Sequence, residues 1–196
     1  MLSENKYRTF WKRLLAGIID GLIFIPLFII ESELFDTTDK RVFIGFEIVY
    51  TVCWMSYVVF GHGKYGQTLG KKLMGIRVFD LNEKSLIGYK RAFLRESIGF
   101  FLSVTGILYL IIRFQDVSSI GETTSESYDN TVAIASIIWF VTELVTMCLN
   151  NKRRAIHDFI AGSVVVDLKE AERGILNEET SLAKDLSSSS SPSSMQ

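Results

Sequence analysis

The stretch VFIGFEIVYTVCWMSYVVF, Val42 to Phe60, decides the class of this chain. It carries a single charge, Glu47, and no polar stripe, so a helix built from it is apolar on every side. At about 1.5 Å per residue such a helix approaches the ~30 Å thickness of a bilayer's hydrocarbon core. Leu14 to Ile30, Ser97 to Ile112 and Thr131 to Leu149 read the same way. The first and third are slightly short, and Trp11 to Arg13 and Arg95 with Glu96 are expected to extend them into the headgroup region. The pattern predicts an all-α transmembrane bundle with four spans, about 12–30, 42–60, 96–113 and 131–149. Composition agrees: 48% hydrophobic residues, 14 Phe and a mean hydropathy of +0.25 do not describe an ordinary soluble domain.

The net charge of −1 says nothing about partners, but its distribution orients the chain. Lys6, Arg8, Lys12 and Arg13 precede the first span, and the loop 61–95 holds Lys64, Lys71, Lys72, Arg77, Lys84, Lys90, Arg91 and Arg95. Glu31, Glu33, Asp36 and Asp39 follow the first span, and Asp116, Glu122, Glu126 and Asp129 follow the third. The positive-inside rule then puts both termini and the middle loop in the cytoplasm and the acidic loops outside, with Lys152, Arg153 and Arg154 in agreement. A cleaved signal peptide would share the basic leader, but Glu31-Ser32-Glu33-Leu34-Phe35 is a poor cleavage site, and uncleaved insertion is expected. Cys53 and Cys148 both fall within spans, which excludes a disulfide framework and leaves too few thiolates for a tetrahedral metal site.

The middle loop has structure of its own. Gly61 to Gly66 is turn chemistry, and Gln67 to Met74 is a short amphipathic run with Lys71 and Lys72 placed to meet lipid phosphates. Ile76-Arg77-Val78-Phe79 alternates as a strand does, before a turn at Asp80 to Glu83. Ser163 to Asp167 is a second strand candidate, and because a lone strand leaves its backbone unpaired, the two are expected to pair as a two-stranded cytoplasmic β element. The chain divides into a transmembrane domain, 1–167, and a tail, 168–196, charged and weakly helical to Asp185 and then Ser-rich and disordered.

Four acidic groups lie where charge costs roughly 2.5–3.5 kcal/mol: Asp20, Glu47, Glu96 and Glu143. Asp20 and Glu143 are each ~9 Å from the inner end of their span, while Glu47 is near the outer end of span two. Arg13 and Asp20 are about two helical turns apart, within reach of a direct or water-bridged pair. Charge pattern alone makes Arg13 a topology charge, and His157 with Asp158 a solvated patch.

Arg13 to Asp20 (RLLAGIID), Gly66 to Val78 (GQTLGKKLMGIRV) and Arg153 to Val166 (RRAIHDFIAGSVVV), in that order, resemble the RDD family of membrane proteins over roughly Tyr7 to Asp167. The family's arginine and two aspartates match Arg13, Asp20 and Asp158, and its loop motif matches Gly66, Gln67, Thr68, Gly70, Lys71 and Gly75. A fourth clear span between the middle loop and the His157-Asp158 block departs from the commonest pattern, while keeping that block on the cytoplasmic side. The resemblance implies a small helical protein of the bacterial inner membrane and turns Asp158 from a solvated charge into a partner beneath spans one and four. It also implies one of two activities. The first is Na⁺/H⁺-like exchange, with Asp20, Glu143 and Glu47 as candidate carriers and Arg13 with Asp158 tuning the mouth. The second is an accessory or assembly subunit. A four-helix exchanger would need a homo-oligomer to enclose a pathway; an accessory subunit would need a membrane protein partner. Beyond the lipid bilayer and Na⁺ or H⁺, no cofactor, resident metal or nucleic acid is expected. Thr68 and Ser163 lack an adjacent base, His62 and His157 lack metal-ligand spacing, and the loop glycines lack phosphate-loop spacing, so an enzyme is not expected.

Overall fold

The computed structural model describes residues 2–35, 40–115 and 123–189. Asp36, Asp39, Asp116, Glu122 and the tail from Ser190 lie outside these residues, and so do the side chains of Glu31, Glu33, Glu126 and Asp129. After a 3-10 turn at Leu2–Tyr7 the order is α1 (Phe10–Phe35), α2 (Lys40–Phe60), α3 (Leu69–Leu73), β1 (Ile76–Asp80), α4 (Gly88–Gln115), α5 (Thr123–Leu149), α6 (Ile156–Ala161), β2 (Ser163–Asp167) and α7 (Leu168–Ser189).

Among the described residues two helical stretches are long and apolar enough to cross a bilayer, Arg41–Tyr65 and Gly88–Ile112, and Ile134–Leu149 is a shorter apolar helix. These helices, and α1 with Ile18 and Leu22, keep large side chains on their outsides, such as Val49, Val52, Phe101, Leu108, Ile137 and Ile138. A water-soluble protein hides surface of that kind; a bilayer covers it.

The tightest packing lies at one end of the bundle. β1 and β2 pair antiparallel, Ile76 with Asp167 through Asp80 with Ser163, as the unpaired-strand argument requires. Every residue of β2 is buried, and Ile76, Val78 and Val165 pack with Ala16, Ile87 and Ala92 into one core beneath the helices. Val164 and Val166 pack on the other face against Tyr7. Lys6 reaches Glu83 at 2.6 Å, the Tyr7 hydroxyl donates to the same carboxylate, and Lys12 reaches Asp167 at 2.5 Å.

The expected turn at Gly61 to Gly66 is instead a continuation of helix. α2 widens into a π-helical turn, Gly61–Tyr65, and the chain reverses only at Gly66, whose φ of 70° is left-handed. A Cβ on Gly66 would lie 2.8 Å from the Val78 carbonyl, and the Gly66 carbonyl accepts from the Val78 N–H at 2.7 Å. Helix end and strand start are thus locked together. The described part of the tail is helical through Ser189.

Candidate functional site

Asp20, on α1, is buried, and its carboxylate takes three donors: the Tyr57 hydroxyl at 2.6 Å, the Thr68 hydroxyl at 2.5 Å and the Gly70 N–H at 2.8 Å. Thr68 is also the N-cap of α3, so one carboxylate seats the start of that helix on α1. Glycine at position 70 is what permits the approach, since a Cβ there would sit 2.2 Å from the Ala16 carbonyl. The other motif residues hold the loop: Gln67 donates its N–H to the Gly61 carbonyl, and Gly75, at φ 66°, accepts from the Leu168 N–H.

Asp158, on α6, is fully buried and bridges two arginines. Arg13 Nη1 lies 2.6 Å from Oδ2, and Arg95 Nη1 lies 2.6 Å from Oδ1. Ser163 and the Ala155 N–H donate to the same carboxylate. Burial alone raises the pKa of Asp158, but Arg95 and then Arg13 overcome this and hold it well below the usual carboxylate range. Arg13 therefore pairs with Asp158 and not with Asp20. The two aspartates are separate anchors, one tying α3 to α1 and the other tying α6 to α1 and α4.

Between α1, α2, α4 and α5 is a cavity of about 300 Å³. Trp54, Trp139, Phe10, Phe140, Leu14 and Leu144 form its apolar wall, and Arg13, Asp20, His62, Lys71, Arg95, Glu96, Glu143 and His157 reach it from the sheet end. Lys71 therefore points inward and not toward lipid phosphates, whereas Lys72 is exposed. Asp20 and Glu143 both line the cavity, as their similar depth suggested; among its described lining Glu47 does not occur.

Each histidine stands between a carboxylate and a cation. His157 Nδ1 meets Glu143 Oε1, and its Nε2 is 2.7 Å from Arg95 Nη2. His62 Nδ1 is 3.5 Å from Glu96 Oε1, and its Nε2 is 2.5 Å from Lys71 Nζ. Arginine and lysine only donate, so each Nε2 accepts and each Nδ1 faces its carboxylate. Around the cavity three formal positive charges, on Arg13, Lys71 and Arg95, face three formal negative ones, on Asp20, Glu96 and Glu143, with Asp158 behind the two arginines and Arg154 near it. Arg13 Nη2 is buried without a partner, beside this same cavity. Among the described residues no cluster of histidine, cysteine or carboxylate side chains has the form of a multi-ligand metal site.

Sequence reasoning missed two members of this cluster. Arg95 reads in the sequence as one of many loop cations and His62 as part of a turn, yet Arg95 joins Asp158 to His157 and His62 is 1% exposed. A histidine between two glycines at the end of an apolar run, and an Arg-Glu pair at the mouth of the next, were the available signals.

Helices with lipid-compatible flanks, clamped by buried aspartates onto a two-stranded sheet, define a membrane protein with a buried charged cluster at its sheet end. The chain belongs to the RDD family, whose family model matches residues 7–162. It is similar to "Uncharacterized membrane protein YteJ" of Bacillus subtilis (strain 168), 25% identical over 121 residues that cover 58% of this chain and 73% of that protein. No solved structure matches it.

Proposed function

We propose that this protein crosses the membrane four times, with sheet and termini in the cytoplasm, and exchanges a proton against a small monovalent cation through the cavity. The observation that carries this reading is the cavity itself, about 300 Å³ and lined by three carboxylates, Asp20, Glu96 and Glu143, beside three cationic groups, Arg13, Lys71 and Arg95. A buried carboxylate in such a set is stabilised by an added cation when its partner charge is withdrawn, and a proton and an alkali cation compete for that role. Glu143 suits the proton carrier. Its carboxylate lines the cavity and faces His157 Nδ1, while Asp20 is engaged by three donors and serves as an anchor. The resemblance-based expectation of Na⁺/H⁺-like exchange points the same way.

The test is pH-gradient dye dequenching in inside-out vesicles, with Na⁺, K⁺ or Li⁺ added in turn, comparing wild type with Glu143→Gln at matched abundance. The expected result is a cation-dependent signal that is lost in the variant. Absence of a signal for every cation from folded wild-type protein would refute exchange. A second reading, an accessory subunit, is favoured by α7, which leaves Ile175, Leu176 and Leu182 more than half exposed along a charged helix. On that reading a partner co-purifies with wild type and is lost when Ile175 and Leu182 become Ser.

A further inference from the structure

We propose that Lys71, acting with His62 and Glu96, is a second proton-exchange unit of this cavity, separate from Arg13, Asp20 and Asp158, and that release of the Lys71 proton is what admits the counter-cation. The inference rests on the exchange reading above and assigns a chain of groups to it.

The geometry starts at Lys71 Nζ, 2.5 Å from His62 Nε2, and continues from His62 Nδ1 to Glu96 Oε1 at 3.5 Å. His62 is presented to the cavity by the π-helical turn, a departure from α-helix that is often associated with functional positions. Its Nδ1 has no close hydrogen-bond partner, so the ring's proton faces Glu96 and the cavity. The step balances simply. The Lys71 ammonium gives its proton to Nε2, the ring gives up its Nδ1 proton to Glu96 Oε1, and Glu96 passes that proton to cavity water. Lys71 is left a neutral amine, His62 is neutral in its other tautomer, and one proton has left the cluster.

The parallel chain, Arg95–His157–Glu143, lacks this property at its cationic end, because a guanidinium keeps its proton at any pH a protein survives. Lys71 is the cation of the three that can discharge. Its surroundings favour that: Arg13 and Asp20 from α1, His62 from the end of α2, Arg95 and Glu96 from α4, Glu143 from α5, and His157 with Asp158 from α6 stand around it. Burial away from water, and then the Arg95 guanidinium, pull the ammonium down to about 7 against the partial opposition of Glu96 and Asp158. With Lys71 neutral the cavity lining is one positive charge short of neutral, and a cation is drawn in. With Lys71 charged the attraction falls and the cation leaves.

The experiment has two arms. Trace acetic anhydride labelling of the wild-type protein across pH, read by mass spectrometry with N-acetyl-lysine in the same tube, reports the neutral fraction of Lys71 directly. The expected midpoint is near pH 7, well below the reference amine; a Lys71 that titrates in step with the reference overturns the assignment. In vesicles, Lys71→Arg keeps the charge and cannot discharge, and His62→Gln cannot relay. Each is expected to lower cation-dependent proton movement at least tenfold at matched abundance. Wild-type movement that both variants retain overturns the role of Lys71 while leaving exchange itself intact. A silent wild type refutes exchange instead.

Discussion

The contact between α1 and α3 makes a demanding prediction for Gly70→Ala. The added Cβ would lie 2.2 Å from the Ala16 carbonyl oxygen, while ordinary contact begins at 3.4 Å, so α3 must withdraw by about 1.2 Å. The Gly70 N–H, now 2.8 Å from Asp20 Oδ1, would end near 4 Å and lose its bond. Overpacking costs about 1–3 kcal/mol. A hydrogen bond to a charged acceptor contributes about 1.5–3 kcal/mol. Together they amount to about 2.5–6 kcal/mol, and in a chain of this size about 2–4 °C of melting temperature follows each kcal/mol, giving a fall of about 5–24 °C. Heating a fluorescent fusion in detergent and measuring the folded fraction by size exclusion would read it. Gly21→Ala is the matched control, since nothing lies within 4 Å of its Cβ, and alanine there is expected to be neutral or favourable by up to about 1 kcal/mol. A Gly70→Ala protein that melts within about 2 °C of wild type would refute the clamp.

Asp158→Asn leaves Arg13 and Arg95 without their ionised partner and is expected to cost about 3–5 kcal/mol, read as loss of folded protein in the same assay. Because Asp158 is held below its usual range, its contribution is present above about pH 4 and fades as pH falls further, so the variant's acid melting curve should be flatter than wild type's. Lys71 has the opposite sign: the unfolded chain binds its proton up to about pH 10 and the folded chain only to about 7, so stability should rise with pH across that window. In Lys71→Met that rise should disappear from melting temperatures taken at pH 6 to 10. Thr68→Val removes both the cap of α3 and a bond to Asp20, and a loss of about 1–3 kcal/mol is expected from the same melts.

The strand pairing was legible because two short alternating or apolar runs outside the spans had no other partner, and backbone groups must be satisfied. Asp158 was legible as a partner only through the family motif, since its neighbours Arg153 and Arg154 make it look like a solvated charge. What could not be read was which partner each charge takes. Arg13 and Asp20 share a helix face, and spacing along one helix says nothing about a carboxylate arriving from α6. The inward turn of Lys71 depends on Gly70 docking against Ala16, a contact between segments far apart in sequence. The π-helical turn that presents His62 widens a helix by a single register, which apolar periodicity does not record.

The ion pair between Arg13 and Asp158 joins positions 145 residues apart. Ribosomes add about 5–20 residues per second, so Arg13 waits about 7–30 s for the carboxylate that neutralises it. Throughout that interval the nascent bundle holds an arginine whose matching charge does not yet exist. A product that stops before Asp158 leaves Arg13 without its carboxylate and Arg95 with Glu96, 3.8 Å away. Completion of the chain is thereby written into the bundle as the pairing of Arg13 with Asp158.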